Sequence, residues 1–460
     1  MRRERITTAA LAATLLATGL APLALTTPAT AAPAKYADDF NGDGHRDYAE
    51  FSYGARHEHR GGAVKVTFGT ANGPGTKVQY IGQNSPGVPD SDEVDDNFGN
   101  VRAAADFNAD GYGDLAVSAT GESVAGRMSQ GSVTILWGSR AGLSGGTSIP
   151  ARSQTSWARM GTDLAVGDFN GDGKKDLAVV AGAKAWVYRG TISRAGVAGS
   201  VTALDRSGQF EVSSLIAGNV TGDNKTDLVV IGDVLGDGTI ASDAWFIKGG
   251  TNLVPGRTLR LEGVHSLGGQ VERGGDGVIA DFNKDGKVDI AIGTPLFSSY
   301  RGMVSIWYGA AAGPARVTRL TQNTPGIADS TEQYDDFGAG IAAGDINGDG
   351  YRDLAIGAYG EKIGGQPYAG GVHVLYGRAG GLTTTGSQWL ARSTAGIPGN
   401  LTAGDMFGAK LRLRDGNRDG KADLYVSGGV SSVRLLGSAT GIRTAGATVV
   451  PDSLIDGMLP

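Results

Sequence analysis

Short apolar runs separated by segments rich in glycine and aspartate recur along the whole chain. Runs such as residues 115–118 and 354–357 are short, contain β-branched residues and directly follow an Asp. Further along each segment, runs such as residues 132–138 and 371–377 alternate apolar with small residues. Strands give short patterns of this kind, whereas helices need longer amphipathic segments. The pattern predicts an all-β fold.

A nine-residue motif precedes the first kind of run in each of seven repeating units. Six copies have Asp or Asn at positions 1, 3, 5 and 9 with Gly at position 6, the seventh is degenerate, and the copies start 51 to 70 residues apart. Each unit holds about four strand-like runs. Units of this kind in series are typical of a β-propeller, in which each blade buries its faces against its neighbours. We therefore predict a seven-bladed β-propeller with about four strands per blade, forming a single domain over residues 32–460.

The motif also predicts a metal loop. Oxygen-bearing side chains at alternating positions suit a hard cation such as Ca²⁺, and Gly at position 6 allows the tight bend that brings them around one ion. Position 7 would add a backbone carbonyl oxygen. The predicted calcium ligands, at positions 1, 3, 5, 7 and 9 of six loops, are Asp39, Asn41, Asp43, His45, Asp47, Asp106, Asn108, Asp110, Tyr112, Asp114, Asp168, Asn170, Asp172, Lys174, Asp176, Asp281, Asn283, Asp285, Lys287, Asp289, Asp345, Asn347, Asp349, Tyr351, Asp353, Asp415, Asn417, Asp419, Lys421 and Asp423.

Ordinary turn chemistry is the competing interpretation of these loops, because Asp, Asn and Gly dominate β-turns. Six copies that always keep an acidic residue at position 9 favour the metal. The seventh copy, at residues 219–227, has Asn219, Thr221 and Asn224 at positions 1, 3 and 6. We expect an ion there to be weak or absent, and its occupancy stays open.

Three Phe-Gly pairs, Phe98-Gly99, Phe337-Gly338 and Phe407-Gly408, each precede an apolar strand, an Asp-rich loop and then a strand such as Asp-Leu-Ala-Val. This order resembles the FG-GAP repeats of the integrin α-subunit propeller and its bacterial secreted relatives, over residues 36–450. In blade 3, Met160-Gly161 replaces the pair. The resemblance implies a seven-bladed propeller, calcium in the loops between first and second strands, and a role in binding proteins or glycans. Similar repeats accompany the catalytic domain of glycosylphosphatidylinositol-specific phospholipase D, and no such domain fits here.

Residues 1–31 have the pattern of an export signal. Arg2, Arg3 and Arg5 precede an apolar stretch, and small residues end at Ala31. A retained membrane anchor is the competing interpretation, and the choice between the Sec and twin-arginine routes stays open. Removing this segment changes the formal net charge from −6 to −8, which argues against a nucleic-acid partner. The chain has no cysteine, so disulfides cannot staple its loops. We expect a secreted, extracellular monomer without a membrane span.

The sequence predicts no catalytic residue. Ser144 lies in a Gly-x-Ser-x-Gly string, but a nucleophile elbow needs a strand-to-helix turn, and this serine follows a predicted strand in a glycine-rich loop. His57-Glu58-His59 could chelate a metal, although a solvated hairpin tip is the simpler interpretation. The predicted function is a calcium-binding module for a protein or glycan ligand. The alternatives are a secreted hydrolase acting on esters, phospholipids or polysaccharides, and a structural component of a surface layer.

The predicted ligand face is the one opposite the calcium loops. Loops that join strands 1 and 2 emerge on one side of a propeller, so the variable loops between blades and between strands 2 and 3 emerge on the other. Trp157 and Tyr334 fall in these variable loops. Two acidic segments also fall there, and they comprise Asp90, Asp92, Glu93, Asp95, Asp96, Asp329, Glu332, Asp335 and Asp336. We expect them to favour a cationic ligand or a calcium-bridged one, or else only to keep an exposed loop soluble.

Overall fold

The computed structural model describes residues 33–54, 58–206, 209–236, 239–261, 265–266 and 277–459. The predicted export signal and His57 lie outside the described residues. Within these ranges the strands form seven antiparallel sheets that follow one another along the chain. The fold is an all-β, seven-bladed propeller, which confirms the prediction.

The blades are numbered in chain order. Blade 1 contains β1 (Tyr48–Ser52), β2 (Ala63–Thr70) and β3 (Gly73–Gly82). Blade 2 contains β4 (Arg102–Ala105), β5 (Asp114–Ala119), β6 (Ser132–Trp137) and β7 (Ser144–Ser148). Blade 3 contains β8 (Leu164–Gly167), β9 (Asp176–Ala181), β10 (Lys184–Ser193) and β11 (Gly196–Leu204). Blade 4 contains β12 (Phe210–Gly218), β13 (Asp227–Gly236), β14 (Thr239–Lys248), β15 (Val254–Arg260) and the two-residue β16 (His265–Ser266).

The remaining three blades have four strands each. Blade 5 contains β17 (Gly277–Ala280), β18 (Asp289–Thr294), the helical turn α1 (Phe297–Tyr300), β19 (Met303–Trp307) and β20 (Val317–Leu320). Blade 6 contains β21 (Phe337–Gly344), β22 (Asp353–Ala358), β23 (Gly371–Tyr376) and β24 (Thr383–Ala391). Blade 7 contains β25 (Leu411–Arg414), β26 (Asp423–Val426), β27 (Ser432–Leu436) and β28 (Arg443–Val450), and the helix α2 (Asp452–Gly457) follows it.

The hydrophobic core lies between the blades. Every residue of the second strands β5, β9, β18 and β22 is buried, whereas the outer strand β28 consists of exposed and half-buried residues. One apolar cluster joins Ile135 and Trp137 of blade 2 to Leu177 and Tyr188 of blade 3. The apolar runs of the sequence are therefore strands that bury both faces against neighbouring blades.

The Phe-Gly pairs lock the start of a blade onto its neighbour. Phe98 is buried, and Gly99 has a φ of +100°, where a Cβ would lie 2.7 Å from a backbone oxygen of blade 1. The Gly99 N–H donates to the carbonyl oxygen of Ser118 at 2.9 Å. Gly161 of blade 3 has a φ of +90° and donates the corresponding bond, and Met160 is buried in the place of the phenylalanine.

The ring closes through the C-terminal helix. In the described part of the chain, blade 1 has no strand ahead of its Asp-rich loop. Leu454 and Ile455 of α2 pack on Tyr48 of β1. Arg102 and Arg412, from the first strands of blades 2 and 7, donate hydrogen bonds to backbone oxygens at the end of α2, at 3.2 and 3.1 Å. The helix thus takes the place of the first strand of blade 1. No helix in the described ranges is long and apolar enough to cross a membrane.

Candidate metal centres and the opposite face

The loop at residues 39–47 shows how the Asp-rich motif folds. The Asp39 carboxylate accepts the backbone N–H groups of Asp43 at 3.1 Å and Gly44 at 2.8 Å. Asn41 accepts the Asp43 N–H through Oδ1 and donates to Asp43 Oδ2 through Nδ2, both at 3.0 Å. Asp43 Oδ1 accepts the N–H of His45 at 2.9 Å. The side chains at positions 1, 3 and 5 therefore lie together on the inside of one loop.

The other five predicted loops have the same geometry. The carboxylate at position 1 accepts the N–H of position 6, the amide at position 3 contacts position 5, and position 7 donates its backbone N–H to position 5. Glycine at position 6 has a φ between +81° and +89° in all six loops. The two carboxylates and the amide oxygen at positions 1, 3 and 5 form the rim of each loop. They are an all-oxygen donor set, which fits Ca²⁺.

The Asp at position 9, also a predicted calcium ligand, is buried and accepts two backbone hydrogen bonds. Asp114 accepts the N–H of Phe107 through Oδ2 at 2.9 Å, and through Oδ1 that of Gly138, which follows the third strand, at 2.8 Å. The same pair of bonds recurs at the five equivalent residues, Asp47, Asp176, Asp289, Asp353 and Asp423. Burial raises the pKa of Asp47, Asp114, Asp289 and Asp353 to about 7. Position 9 ties the loop to the third strand, a contact that the motif alone did not reveal.

The degenerate loop of blade 4 keeps position 9 and changes the rest. Asp227 is fully buried and accepts the N–H of Gly249 at 2.8 Å and both the N–H and the hydroxyl of Thr221, at 2.8 and 3.0 Å. Asp223, at position 5, lies 3.6 Å from the ammonium nitrogen of Lys225 and 3.3 Å from that of Lys248. Here lysine ammonium groups stand beside the remaining rim carboxylate, while the buried contact of position 9 persists.

Backbone hydrogen bonds connect the loops of adjacent blades along one face. The carbonyl oxygen at position 1 accepts the N–H at position 8 of the next loop, as from Gly113 to Asp39 at 2.8 Å and from Ala422 to Asp345 at 2.7 Å. The further pairs are Thr226 to Asp168, Val288 to Asn219 and Arg352 to Asp281. The Asp-rich loops between first and second strands therefore share one face.

The opposite face carries exposed large side chains. The loops between blades meet the loops between second and third strands there, as where the Trp157 N–H donates to Met128 O at 2.8 Å and the Met406 N–H to Tyr368 O at 2.9 Å. Trp157 is 59% exposed and Tyr334 45%. Further large exposed residues on these loops are Tyr53, Val94, Met128, Tyr368, Met406 and Val430.

The acidic segments of this face are only partly exposed. Asp96, Asp335 and Asp336 are buried, so keeping an exposed loop soluble does not account for these three acids. Asp92 accepts the N–H groups of Arg60 and Gly61, at 3.1 and 2.5 Å, and so holds a loop of blade 1.

Two buried glutamates join these acids. Glu122 lies with Asp90 and Glu93, and Glu361 lies with Asp329 and Glu332. Neither glutamate belongs to the acidic segments predicted for this face, although the near-parallel sequences of residues 90–122 and 329–361 indicate both. Burial raises the pKa of Asp96, Glu122 and Asp335 to about 7 and that of Glu361 to about 8.

The serine of the Gly-x-Ser-x-Gly string does not sit in a nucleophile elbow. Ser144 is the first residue of β7, the outer strand of blade 2, and pairs with Trp137. A strand-to-helix turn is what exposes the nucleophile in serine hydrolases of that type, and here the serine opens an edge strand.

Comparison with known proteins agrees with the repeat geometry. The FG-GAP repeat family matches residues 160–202, 274–307 and 337–375, and the FG-GAP-like repeat family matches residues 106–179. The chain is an integrin α-like FG-GAP repeat propeller. Integrin alpha-8 of Mus musculus is 34% identical over 144 residues, which cover 29% of this propeller and 12% of that protein. Phosphatidylinositol-glycan-specific phospholipase D of Mus musculus is 31% identical over 144 residues, covering 31% and 17%.

The propeller thus matches less than a fifth of the length of these curated relatives. Solved structures are similar at low identity. A lectin of Agrocybe aegerita that recognises non-reducing terminal N-acetylglucosamine has a TM-score of 0.47 at 13% identity, covering 88% of this chain and 91% of that one. The exotype rhamnogalacturonan lyase YesX has a TM-score of 0.41 at 12% identity, covering 87% and 71%. Neither likeness bears on function.

Proposed function

We propose that this chain is a secreted, calcium-stabilised propeller that binds an extracellular protein or glycan ligand on the face opposite its Asp-rich loops. The observation that supports this proposal is that the two faces of the propeller carry different kinds of side chains. One face consists of linked loops with the donor set of a calcium site. The other presents exposed aromatic side chains on loops held by a rigid scaffold, which is where binding residues concentrate.

Calcium would be structural in this arrangement. The rim residues at positions 1, 3 and 5, for example Asp168, Asn170 and Asp172, already lie together in each loop through bonds to its own backbone. Grouped carboxylates repel one another, and a bound Ca²⁺ would offset that repulsion. Because five of these loops also bond to the loop of the next blade, ordering one loop would support its neighbour.

Tyr334 and Trp157 are the residues best placed to contact a ligand. Aromatic side chains with one exposed face supply large contact areas to both proteins and sugars. The Tyr334 ring stands 5.4 Å from that of Tyr300, at an interplanar angle of 38°, so its orientation is supported from one side. The acids nearby add negative charge to the same face.

A glycan array and a pull-down from extracellular extracts would identify the ligand, and paired variants would locate its site. Tyr334→Ala and Trp157→Ala are expected to weaken binding at least tenfold without changing calcium content or melting temperature. Tyr351→Ala is the matched control, since it removes an aromatic ring beside a calcium loop while keeping the position-7 carbonyl. Binding that is lost in Tyr351→Ala and kept in the other two variants would contradict the proposed face.

A further inference from the structure

Two clusters of carboxylates on the face opposite the Asp-rich loops have no cation beside them in the described part of the chain. Cluster A consists of Asp90, Glu93 and Glu122, and cluster B of Asp329, Glu332 and Glu361. In each cluster, one carboxylate oxygen from every member lies within 4.8 Å of the others. No ion pair among the described residues includes any of the six.

A fourth carboxylate, that of Asp96 or Asp335, stands next to each cluster. Asp96 accepts the backbone N–H of Glu93 at 2.8 Å, and Asp335 accepts that of Glu332 at 2.5 Å. Both aspartates are buried. Each site therefore contains four acidic side chains. Two of them are buried, Asp96 and Glu122 at cluster A, and Asp335 and Glu361 at cluster B.

A buried glutamine borders each cluster with an unused oxygen. Gln83 is 2% exposed and donates through Nε2 to Glu122 Oε2 at 2.6 Å, and Gln322 is 1% exposed and donates to Glu361 Oε2 at 2.7 Å. The Oε1 atom of each amide is buried and has no hydrogen-bond partner among the described residues. A buried acceptor without a partner is costly, and two occur at equivalent places in the two blades.

Glycines bring the buried glutamates to the clusters. A Cβ on Gly121 would lie 1.8 Å from the carbonyl oxygen of Asp95, and one on Gly360 would lie 1.7 Å from that of Tyr334. The Gly121 N–H donates to Asp96 O at 2.9 Å, and the Gly360 N–H to Asp335 O at 3.1 Å. The loop after the second strand is thereby held against the loop between blades, with Glu122 or Glu361 as the next residue.

Blade 7 has the equivalent loops, but it lacks the three cluster acids and has an arginine in place of the glutamine. Gly429 N–H donates to Asp405 O at 2.6 Å, which is the bond that Gly121 makes to Asp96. The position of Gln83 is taken by Arg392, whose Nε lies 2.8 Å from Asp405 Oδ2, and both side chains are fully buried. The residues at the positions of Asp90, Glu93 and Glu122 are Gly399, Thr402 and Val430.

Blade 7 differs from blades 2 and 6 in how the charge of its buried carboxylates is compensated. Where the three cluster acids are missing, the chain supplies its own buried cation, Arg392, for the one remaining aspartate. Where the acids are present, it supplies a neutral glutamine instead. Buried carboxylates are stable when they are paired or coordinate a metal. In blades 2 and 6 no such cation pairs with the cluster acids among the described residues, which favours a positive charge supplied by a bound ion.

We propose that clusters A and B each bind one divalent cation of the calcium class, at sites separate from the six Asp-rich loops. Calcium binds six to eight oxygens at about 2.3–2.6 Å, so ligand oxygens around one ion lie up to about 5 Å apart, as they do here. The donors are the three cluster carboxylates, with the Oε1 atom of Gln83 or Gln322 available in addition. Each ion would join a loop between blades to the loop after a second strand, and so hold the ligand face in shape.

Calcium stoichiometry in equilibrium dialysis tests the proposal. Glu122→Gln/Glu361→Gln keeps the side-chain shape, removes one charge from each cluster, and is expected to bind two ions fewer than the wild type. Asp172→Ala/Asp349→Ala, in the Asp-rich loops, should independently lose two. An unchanged count in the glutamine variant, with two ions lost from the loop variant, would overturn the cluster sites and leave calcium binding by the loops intact. The opposite result would keep the clusters and overturn the loops.

A second variant copies blade 7 into blade 6. Gln322→Arg/Glu361→Val provides an internal guanidinium and removes one carboxylate, so it should bind one ion fewer and melt in excess chelator at or above the wild-type temperature. An undiminished ion count in this variant would contradict the proposal. Arginine amide that binds the wild type in place of calcium, and fails to bind Glu122→Gln/Glu361→Gln, would show an organic-cation site instead and also overturn it.

Discussion

Asp227 separates the structural role of position 9 from metal binding. Its loop has Asn219 and Thr221 at two of the ligand positions, so we expect a calcium ion to contribute little there. Its carboxylate nevertheless holds the N–H groups of Gly249 and Thr221, both at 2.8 Å, in a fully buried setting. Asp227→Ala should therefore destabilise the propeller even when calcium is absent.

The size of the expected stability loss follows from the two backbone N–H groups that would lose their acceptor. A buried N–H that loses its acceptor costs about 1–3 kcal/mol, so removing the Asp227 carboxylate predicts a loss of about 2–6 kcal/mol in the free energy of unfolding. The Thr221 hydroxyl donates to the same carboxylate at 3.0 Å and is also buried, so its loss would add to this cost. Asp223→Ala is the matched control in the same loop. Its partly exposed ion pairs with Lys225 and Lys248 are worth at most about 1 kcal/mol.

Urea unfolding in excess chelator, followed by tryptophan fluorescence, measures both variants. Trp245 of blade 4 is buried near the mutated loop and should report its unfolding. The reasoning fails if Asp227→Ala loses no more stability than Asp223→Ala. It also fails if the loss appears only when calcium is present, since position 9 would then act through a bound ion alone.

Three further expectations concern calcium, pH and ring closure. Chelation should lower the melting temperature, because each loop held at a hundred times its Kd adds about 2.7 kcal/mol, and Asp172→Ala alone should remove one ion by equilibrium dialysis. Burial lowers the pKa of His373 from 6.5 to about 3, so the unfolded chain is protonated at this residue at a higher pH than the folded protein. The contribution of His373 to the free energy of unfolding is therefore complete above about pH 6.5 and is lost as the pH falls toward 3. Between pH 8 and pH 5 the wild type should lose about 2 kcal/mol more than His373→Gln in urea titrations, and equal losses would contradict this. Ile455→Asp, at a residue 1% exposed in α2, should cost more than about 3 kcal/mol, whereas Asp456→Ala, at the surface of the same helix, should cost under 1.

Most of what the sequence predicts about the fold and the Asp-rich loops comes from the repeat. Strand-sized apolar runs and the nine-residue motif are local signals, and stacking seven such units leaves few arrangements other than a propeller. The positions of the Asp-rich loops between first and second strands followed from the same order. Rim geometry at positions 1, 3 and 5 is also local, because Asp39, Asn41 and Asp43 bond within their own loop.

Contacts between distant parts of the chain could not be predicted in this way. The second role of Asp114 depends on the N–H of Gly138, which reaches the loop only after β5 and β6 have paired. Closure by α2 depends on Tyr48, some 400 residues earlier, and the short C-terminal segment has no strand pattern to announce it. The place of Glu122 was signalled only by its parallel with Glu361, and its burial required the approach that Gly121 allows.

The propeller shows several ways of placing a buried carboxylate, and they differ in what they need from solution. At position 9, backbone N–H groups satisfy both oxygens, so the contact survives in blade 4 although the rim around it has degenerated. In blade 7, Arg392 supplies the countercharge to Asp405 from within the chain. Clusters A and B and the Asp-rich loops of blades 1, 2, 3, 6 and 7 group several carboxylates, and in the described part of the chain no lysine or arginine pairs with the side chains at loop positions 1, 3 and 5 or with the cluster acids. Their order should therefore depend on the ions around them. Removing calcium should therefore loosen the loops that hold clusters A and B in blades 2 and 6 more than the equivalent loop of blade 7, which hydrogen exchange of Gly121 and Gly360, compared with Gly429, would detect.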